Sequence, residues 1–354
     1  MPSLWIFDIE PHEQRYTSEW QTYLPQQLND YLQKKNLRSW NVKVVPSAPT
    51  SGKLPKGAFL NFAETNVYKS SQVSAFAAEV QNGVVKNGDR VLFTDAWHPG
   101  VIQCKYMASL LHLDVKIDVM WHAGSYDAND LLGQRNKPNK AWSYAFEKSV
   151  FEAADRNYFA TEYHKKLFLS EIKPYTKRSA RVVGWPMEYL PDLLKDRYKS
   201  TPKDVILFPH RMSVEKQPQI LRDLTPYFAS HNVIFAQSMK RSKAEYHDLL
   251  ARSVICFSAS KQETLGIGTY EAMLCGAVPI VPDKLSYTEI YGKLCYPASW
   301  AQNIEKAKPH THQFVKFIQQ AIGQNSPTDM HKTALKIGKI YFSGGALYAE
   351  LFRR

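Results

Sequence analysis

Two cations and two carboxylates stand out in this chain by their types and spacing. Arg211 and Lys216 lie five positions apart in the polar stretch Pro209-His210-Arg211-Met212-Ser213-Val214-Glu215-Lys216-Gln217-Pro218. Glu263 and Glu271 close the two ends of Glu263-Thr264-Leu265-Gly266-Ile267-Gly268-Thr269-Tyr270-Glu271. A guanidinium offers parallel donors to phosphate oxygens and an ammonium adds a compact charge, so the first pair suits a diphosphate. The carboxylates can accept hydrogen bonds from sugar hydroxyls, and glycines at 266 and 268 let the backbone come close to a ligand. A solvated basic loop, an acidic helix N-terminus and ordinary turn glycines would use the same residues.

The elements that must position these groups are legible nearby. Val205 to Phe208 is an apolar run of strand length that ends at the Arg211 loop, and Val254 to Ser258 is a second one that ends before Glu263. From Gly268 to Leu274 the apolar residues fall at helical offsets, Gly276 stops the helix, and Val278 to Pro282 resumes strand character. This is a βαβ unit. Its strand-to-helix loop lies at the carboxyl edge of a parallel sheet, where the N–H groups opening a helix favour anions.

With Arg211, Lys216, the Glu263 to Glu271 loop and the following Ala272-Met273-Leu274-Cys275-Gly276-Ala277-Val278-Pro279-Ile280-Val281, residues 205–283 resemble the retaining nucleotide-sugar glycosyltransferases of the GT-B fold, the large family-four type. The resemblance implies that Arg211 and Lys216 hold the donor diphosphate and support catalysis. It implies that Glu263 and the backbone of Leu265, Gly266, Ile267 and Gly268 hold the transferred sugar, and that Glu271 binds the ribose. His210 stands where the family commonly has glycine, and Leu265 where it usually has an aromatic. The implied cofactor is a nucleotide sugar, a UDP-sugar first among them, with no metal required.

The chain has 354 residues, 44% of them apolar and 22% charged, enough for two α/β domains with separate cores. No apolar run approaches the roughly 18 residues of a membrane span, and the start of the chain lacks a signal-peptide pattern, which points to the cytoplasm, or the host cytoplasm for a phage-encoded protein. Cys104, Cys256, Cys275 and Cys295 have no CxxC spacing and read as buried thiols. Charge is more telling: 45 Lys and Arg against 33 Asp and Glu leave +12, which calls for an anionic partner such as nucleic acid or lipid headgroups.

The first half alternates strand and helix. Leu4–Phe7, Trp40–Val45, Ala58–Phe62, Arg90–Thr94, Val115–Trp121 and Asn157–Ala160 are expected strands. Ser18–Lys35, Tyr68–Gln81, Val101–His112, Ala141–Ala154 and Glu162–Ser170 are expected helices. The expected fold is therefore α/β of GT-B type, two Rossmann-like doubly wound parallel-sheet domains facing a cleft. An acceptor-side domain would span 1–186, with a C-terminal helix of about 341–354 packing back onto it, and a nucleotide-sugar domain would span 187–340. The Pro-, Asp- and Lys-containing stretch from 182 to 203 is the expected linker.

Polar and aromatic clusters follow three first-domain strands: Asp8-Ile9-Glu10-Pro11-His12, Thr94-Asp95-Ala96-Trp97-His98, and Trp121-His122-Ala123-Gly124-Ser125-Tyr126-Asp127. His98, His122 and Asp127 also suit a metal in principle, without a fixed ligand spacing. A histidine after a first-domain strand resembles the family position that contacts the donor sugar near the reacting carbon, which makes His122 the fourth expected catalytic residue beside Glu263, Arg211 and Lys216. The glycine pair that many family members carry after the first strand is absent from Asp8 to Arg15.

The first-domain stretches Trp5-Ile6-Phe7-Asp8-Ile9-Glu10-Pro11, Arg15-Tyr16-Thr17, Asp95-Ala96-Trp97-His98-Pro99-Gly100 and Trp121-His122-Ala123-Gly124-Ser125-Tyr126-Asp127 are also similar to a group of bacteriophage-encoded glycosyltransferases. That similarity implies a hydroxymethylpyrimidine in phage DNA as acceptor and duplex DNA with modified pyrimidines as partner, without integral membrane contact. A transferase acting on a lipid-linked or polysaccharide acceptor at the membrane surface, and a non-catalytic basic DNA-binding protein, are the alternatives.

Overall fold

The computed structural model describes residues 1–12, 16–37, 39–52, 60–135, 137–199 and 203–353. The chain forms two compact units. One comprises Met1–Ala160, Lys165–Pro186 and Gly344–Arg354, the other Thr161–His164 and Met187–Ser343.

In the first unit β1 (Ser3–Phe7), β2 (Asn41–Val44), β3 (Arg90–Phe93), β4 (Lys116–Trp121), β5 (Arg156–Phe159) and β6 (Ala180–Val182) make one parallel sheet in the order β2-β1-β3-β4-β5-β6. The near-continuous apolar runs of β1 and β3 follow from burial on both faces, since parallel sheets are covered by their crossover helices. One charged pair interrupts this core. Arg90 on β3 forks onto Asp118 on β4, Nε to Oδ2 and Nη2 to Oδ1 both at 2.9 Å, and the Tyr158 hydroxyl of β5 donates to Asp118 at 2.7 Å. Three strands are thereby tied in one register by groups that burial alone would penalise.

In the second unit β7 (Val205–Phe208), β8 (Asn232–Phe235), β9 (Ser253–Phe257), β10 (Val278–Pro282) and β11 (Cys295–Tyr296) form a second parallel sheet, ordered β11-β10-β9-β7-β8. The chain runs outward from β7 to β8 and then returns to place β9 on the other side of β7. The order reverses there, which opens a crevice beyond the carboxyl ends of β7 and β9.

One expectation is corrected. Of the strand expected at Ala58–Phe62, Ala58 and Phe59 lie outside the described residues, and the rest begins a helix, Phe62–Gln81. Asn61 caps that helix by accepting the Glu64 N–H at 3.3 Å, a cap-and-Glu signature that outweighs the local apolar run. The division between the two units, after Pro186, falls within the stretch expected as the linker, in which Trp185, Met187, Tyr189, Leu190 and Leu194 are buried. The C-terminal helix expected at about 341–354 runs from Gly345 to Leu351 and follows a separate helix, Pro327–Tyr341.

Candidate functional site

In the second unit the loops that follow β7 and β9 leave neighbouring strand ends, and their side chains meet. Lys216 is buried, and its Nζ donates to the Gln262 carbonyl at 2.5 Å and to Glu263 Oε2 at 3.2 Å. The other carboxylate oxygen of Glu263 accepts the N–H groups of Thr264 at 3.2 Å and Gly266 at 3.1 Å. Burial works against ionising Glu263, yet the Lys216 ammonium and these donors outweigh it and hold the carboxyl below its ordinary value. The result is an oriented ion pair at the mouth of a helix.

That helix is Ile267–Leu274, with Gly266 as its N-cap at φ +80°. A side chain at 266 would be strained by that backbone and would bring a Cβ to 2.9 Å from the Tyr287 ring. At 268 a Cβ would stand 3.2 Å from Pro209 and 3.3 Å from the Tyr246 hydroxyl. Both glycines thus serve the packing of the loop as well as access to it. The N–H groups of Ile267 and Gly268 open the helix and have no intrahelical acceptor, which gives this end its affinity for anions. Leu265 is buried, so its side chain is withheld from the crevice.

Glu271, one turn in, accepts a hydrogen bond from the Tyr246 hydroxyl at 3.1 Å. Arg211, one-third exposed, donates Nε to Glu215 Oε1 at 2.9 Å, and Ser213 Oγ donates to the same oxygen at 2.6 Å. Glu215 was not singled out from the sequence, although it lies four positions after Arg211 and directly before Lys216. It is almost fully buried and fixes the guanidinium. Gln217, also missed, takes a left-handed conformation at φ +51° and donates to the carbonyls of Ala259 at 2.7 Å and Ala301 at 2.9 Å, anchoring the end of the Lys216 turn. His210 is buried and feels the charges of Lys216, Glu263 and Arg211. Burial, then the repulsion of Lys216 and Arg211, push its pKa down to about 3 against the pull of Glu263, so the imidazole is neutral.

In the first unit the polar strand ends hold one another. Tyr68 and Gln72 donate to Asp8 Oδ1 at 2.7 and 2.6 Å, and His98 bonds Gln72 Oε1 at 3.1 Å while its Nδ1 accepts the Gly100 N–H. Lys69 pairs with Asp95 at 2.8 Å. His122 donates Nε2–H to the Thr94 carbonyl at 2.6 Å and takes the Tyr16 hydroxyl on Nδ1 at 3.1 Å, so a sugar contact would require one of these bonds to give way. Asp127 Oδ1 accepts the Asn129 N–H at 2.9 Å. Among the described residues no three His, Cys, Asp or Glu side chains converge as metal ligands.

Glu147 joins two of these loops. It accepts Trp97 Nε1–H at 2.9 Å and both the N–H and the hydroxyl of Ser125 at 2.6 Å. Burial raises its pKa from 4.5 to about 7 in spite of these donors. The folded state therefore keeps the proton to higher pH than the unfolded chain, and stability falls as pH rises from about 4.5 to about 7, by on the order of 3 kcal/mol, then levels. Glu147→Gln, which still accepts with its carbonyl, is expected to melt higher than the parent at pH 8 and to lose that advantage at pH 4.5. Calorimetric melting at both values checks this, and an equal difference at the two would contradict it.

No protein-family model and no curated protein matches the sequence. Solved structures do resemble it. Sucrose-phosphate synthase from Thermosynechococcus elongatus aligns over 99% of this chain and 97% of its own, with a TM-score of 0.62 at 13% identity. The catalytic domain of starch synthase IV from Arabidopsis thaliana, solved with ADP and acarbose, aligns over the same shares with a TM-score of 0.61 at 12% identity. HepE from Anabaena, solved with UDP and glucose, aligns over 96% of this chain and 95% of its own, with a TM-score of 0.58 at 11% identity. At such identities the likeness is one of fold. The chain has the GT-B architecture, two parallel-sheet α/β units of six and five strands.

Proposed function

We propose that the chain is a retaining glycosyltransferase that takes a sugar from a nucleotide donor at the crevice beyond β7 and β9. The observation that carries this reading is the buried Lys216–Glu263 pair at the opening of a glycine-led helix, with the Arg211 guanidinium on the adjacent loop. Arg211 and Lys216 hold the diphosphate, Glu263 and the backbone from Leu265 to Gly268 hold the sugar, and Glu271 takes the ribose. The nucleoside diphosphates present in structures of the same fold support such a donor, and we assign a UDP-sugar.

In the reaction the bond between the anomeric carbon and the phosphate oxygen breaks, and its electron pair leaves with the diphosphate. Arg211, Lys216 and the helix N-terminus stabilise that developing charge from fixed positions. The acceptor hydroxyl forms its bond on the same face, and its proton passes to the departing phosphate oxygen. For the acceptor we assign a hydroxymethylpyrimidine of phage duplex DNA, a reading supported by the surplus of +12.

The two carboxylates separate the roles. Glu263→Ala is expected to lower transfer by about 10²-fold, since it removes the sugar contact together with the carboxylate that orients Lys216. Glu271→Ala is expected to weaken UDP binding by roughly tenfold, the scale of one or two hydrogen bonds to an ionised group. Calorimetric titration with UDP beside a transfer assay reads both, and unchanged UDP affinity in Glu271→Ala would remove the ribose assignment.

A further inference from the structure

Among the buried polar atoms that the assignments above leave unused, one adjoins both cations of the donor site in sequence or in charge. Nε2 of His210 is buried, and no hydrogen-bond partner reaches it. The residue stands two positions after β7, packs edge-on against Phe208 at 5.2 Å and 83°, and is less than one-tenth exposed. Its electrostatic surroundings are Lys216, Glu263 and Arg211, the groups assigned above to the diphosphate and the sugar. A buried polar atom without a partner is costly, and native proteins keep such atoms where a ligand, water or ion completes them.

The three neighbours say what kind of ligand completes this one. Two are cations, Lys216 paired with Glu263 and Arg211 paired through Nε with Glu215, and the Nη donors of the guanidinium are left for a further acceptor, so the group to be recognised is one that accepts hydrogen bonds from cations, as a phosphate oxygen does. A neutral imidazole can still donate one N–H, and it does so beside cations without adding to their mutual repulsion. We infer that His210 is a third contact for the donor diphosphate, its Nε2–H donating to a phosphate oxygen when the nucleotide draws Arg211 and Lys216 onto itself. This rests on the donor reading and deepens it. Where a glycine would leave the two cations alone to define the diphosphate, this chain adds a directional donor between them.

The test uses inorganic pyrophosphate and UDP as probes, titrated by calorimetry into the full chain and three variants. His210→Leu keeps the packing volume and removes the donor, and it should bind both probes about tenfold or more weakly, with a melting temperature equal to or above that of the parent because the unsatisfied atom is gone. His210→Gln returns an N–H to a similar reach and should recover affinity to within about threefold. Arg211→Ala serves as the control for the site itself. Parent-like affinity in His210→Leu would overturn the inference while leaving the donor reading intact. A His210→Gln variant as weak as His210→Leu, with both melting lower, would assign the ring to packing and likewise overturn it. Absence of UDP and pyrophosphate binding in the parent would overturn the donor reading, and this inference with it.

Discussion

Lys216→Ala is expected to lower glycosyl transfer by about 10²-fold or more while the protein stays folded. Lys216 is the group on which the site converges: it spans from the loop after β7 to the Gln262 carbonyl and the Glu263 carboxylate on the loop after β9. Its loss removes a preorganised charge from the place where the leaving diphosphate becomes more negative, and one such donor typically contributes two to three orders of magnitude to turnover. It also leaves Glu263 without its cation, so the carboxyl rises toward neutrality and the sugar contact weakens. Arg211→Ala should show a loss of similar size for the diphosphate alone. Steady-state rates with a saturating donor, and circular dichroism for the fold, check both variants. A Lys216→Ala protein with parental turnover would take the diphosphate assignment away.

The second large effect is ionic. If duplex DNA is the acceptor-bearing partner, affinity for it should fall by roughly 10³ or more between about 50 and about 200 mM salt, given engagement of about six phosphates, because each neutralised phosphate releases a condensed counterion. The basic runs that would supply the contacts are distributed along the chain, among them Lys165-Lys166, Lys173 to Arg181 and Lys240-Arg241. Lys173, Lys177 and Arg178 are exposed. UDP binding should respond far less to salt, since it is a compact ligand that meets few side chains and displaces no condensed counterion layer. A gel-shift titration across this range, set beside calorimetry with UDP, reads the contrast. Weak DNA binding that ignores salt would instead favour an acceptor at the membrane surface.

Much of the donor side was legible in the sequence because short-range chemistry set it. Val205–Phe208 is a strand with the expected ends, and the helix expected from Gly268 begins one residue earlier, at Ile267. A strand-loop-helix pattern with apolar runs and glycine punctuation leaves little freedom there. What stayed hidden depends on which side chains face each other. The stretch after β7 reads as two free cations, whereas Glu215 between them is buried and holds Arg211 in place. His98 and Asp95 look like available strand-end groups, yet Gln72 and Lys69 of the helix Phe62–Gln81 already occupy them. Those partners come from a distant segment, and its own helix start at Asn61 was masked by a run that suited a strand. Glu147 gave no signal at all: it sits mid-helix in an unremarkable sequence, and only the fold brings Ser125 and Trp97 to it.

The most direct measurement is nucleotide release. The full chain would be incubated with a panel of UDP-, ADP- and GDP-sugars, each alone, with plain duplex DNA, and with duplex DNA containing 5-hydroxymethylcytosine, and the free nucleoside diphosphate recorded over time. The account predicts release from at least one donor, UDP-linked, accelerated by the hydroxymethylated duplex over the plain one and abolished in Lys216→Ala. Release from no donor under any of the three conditions would contradict it.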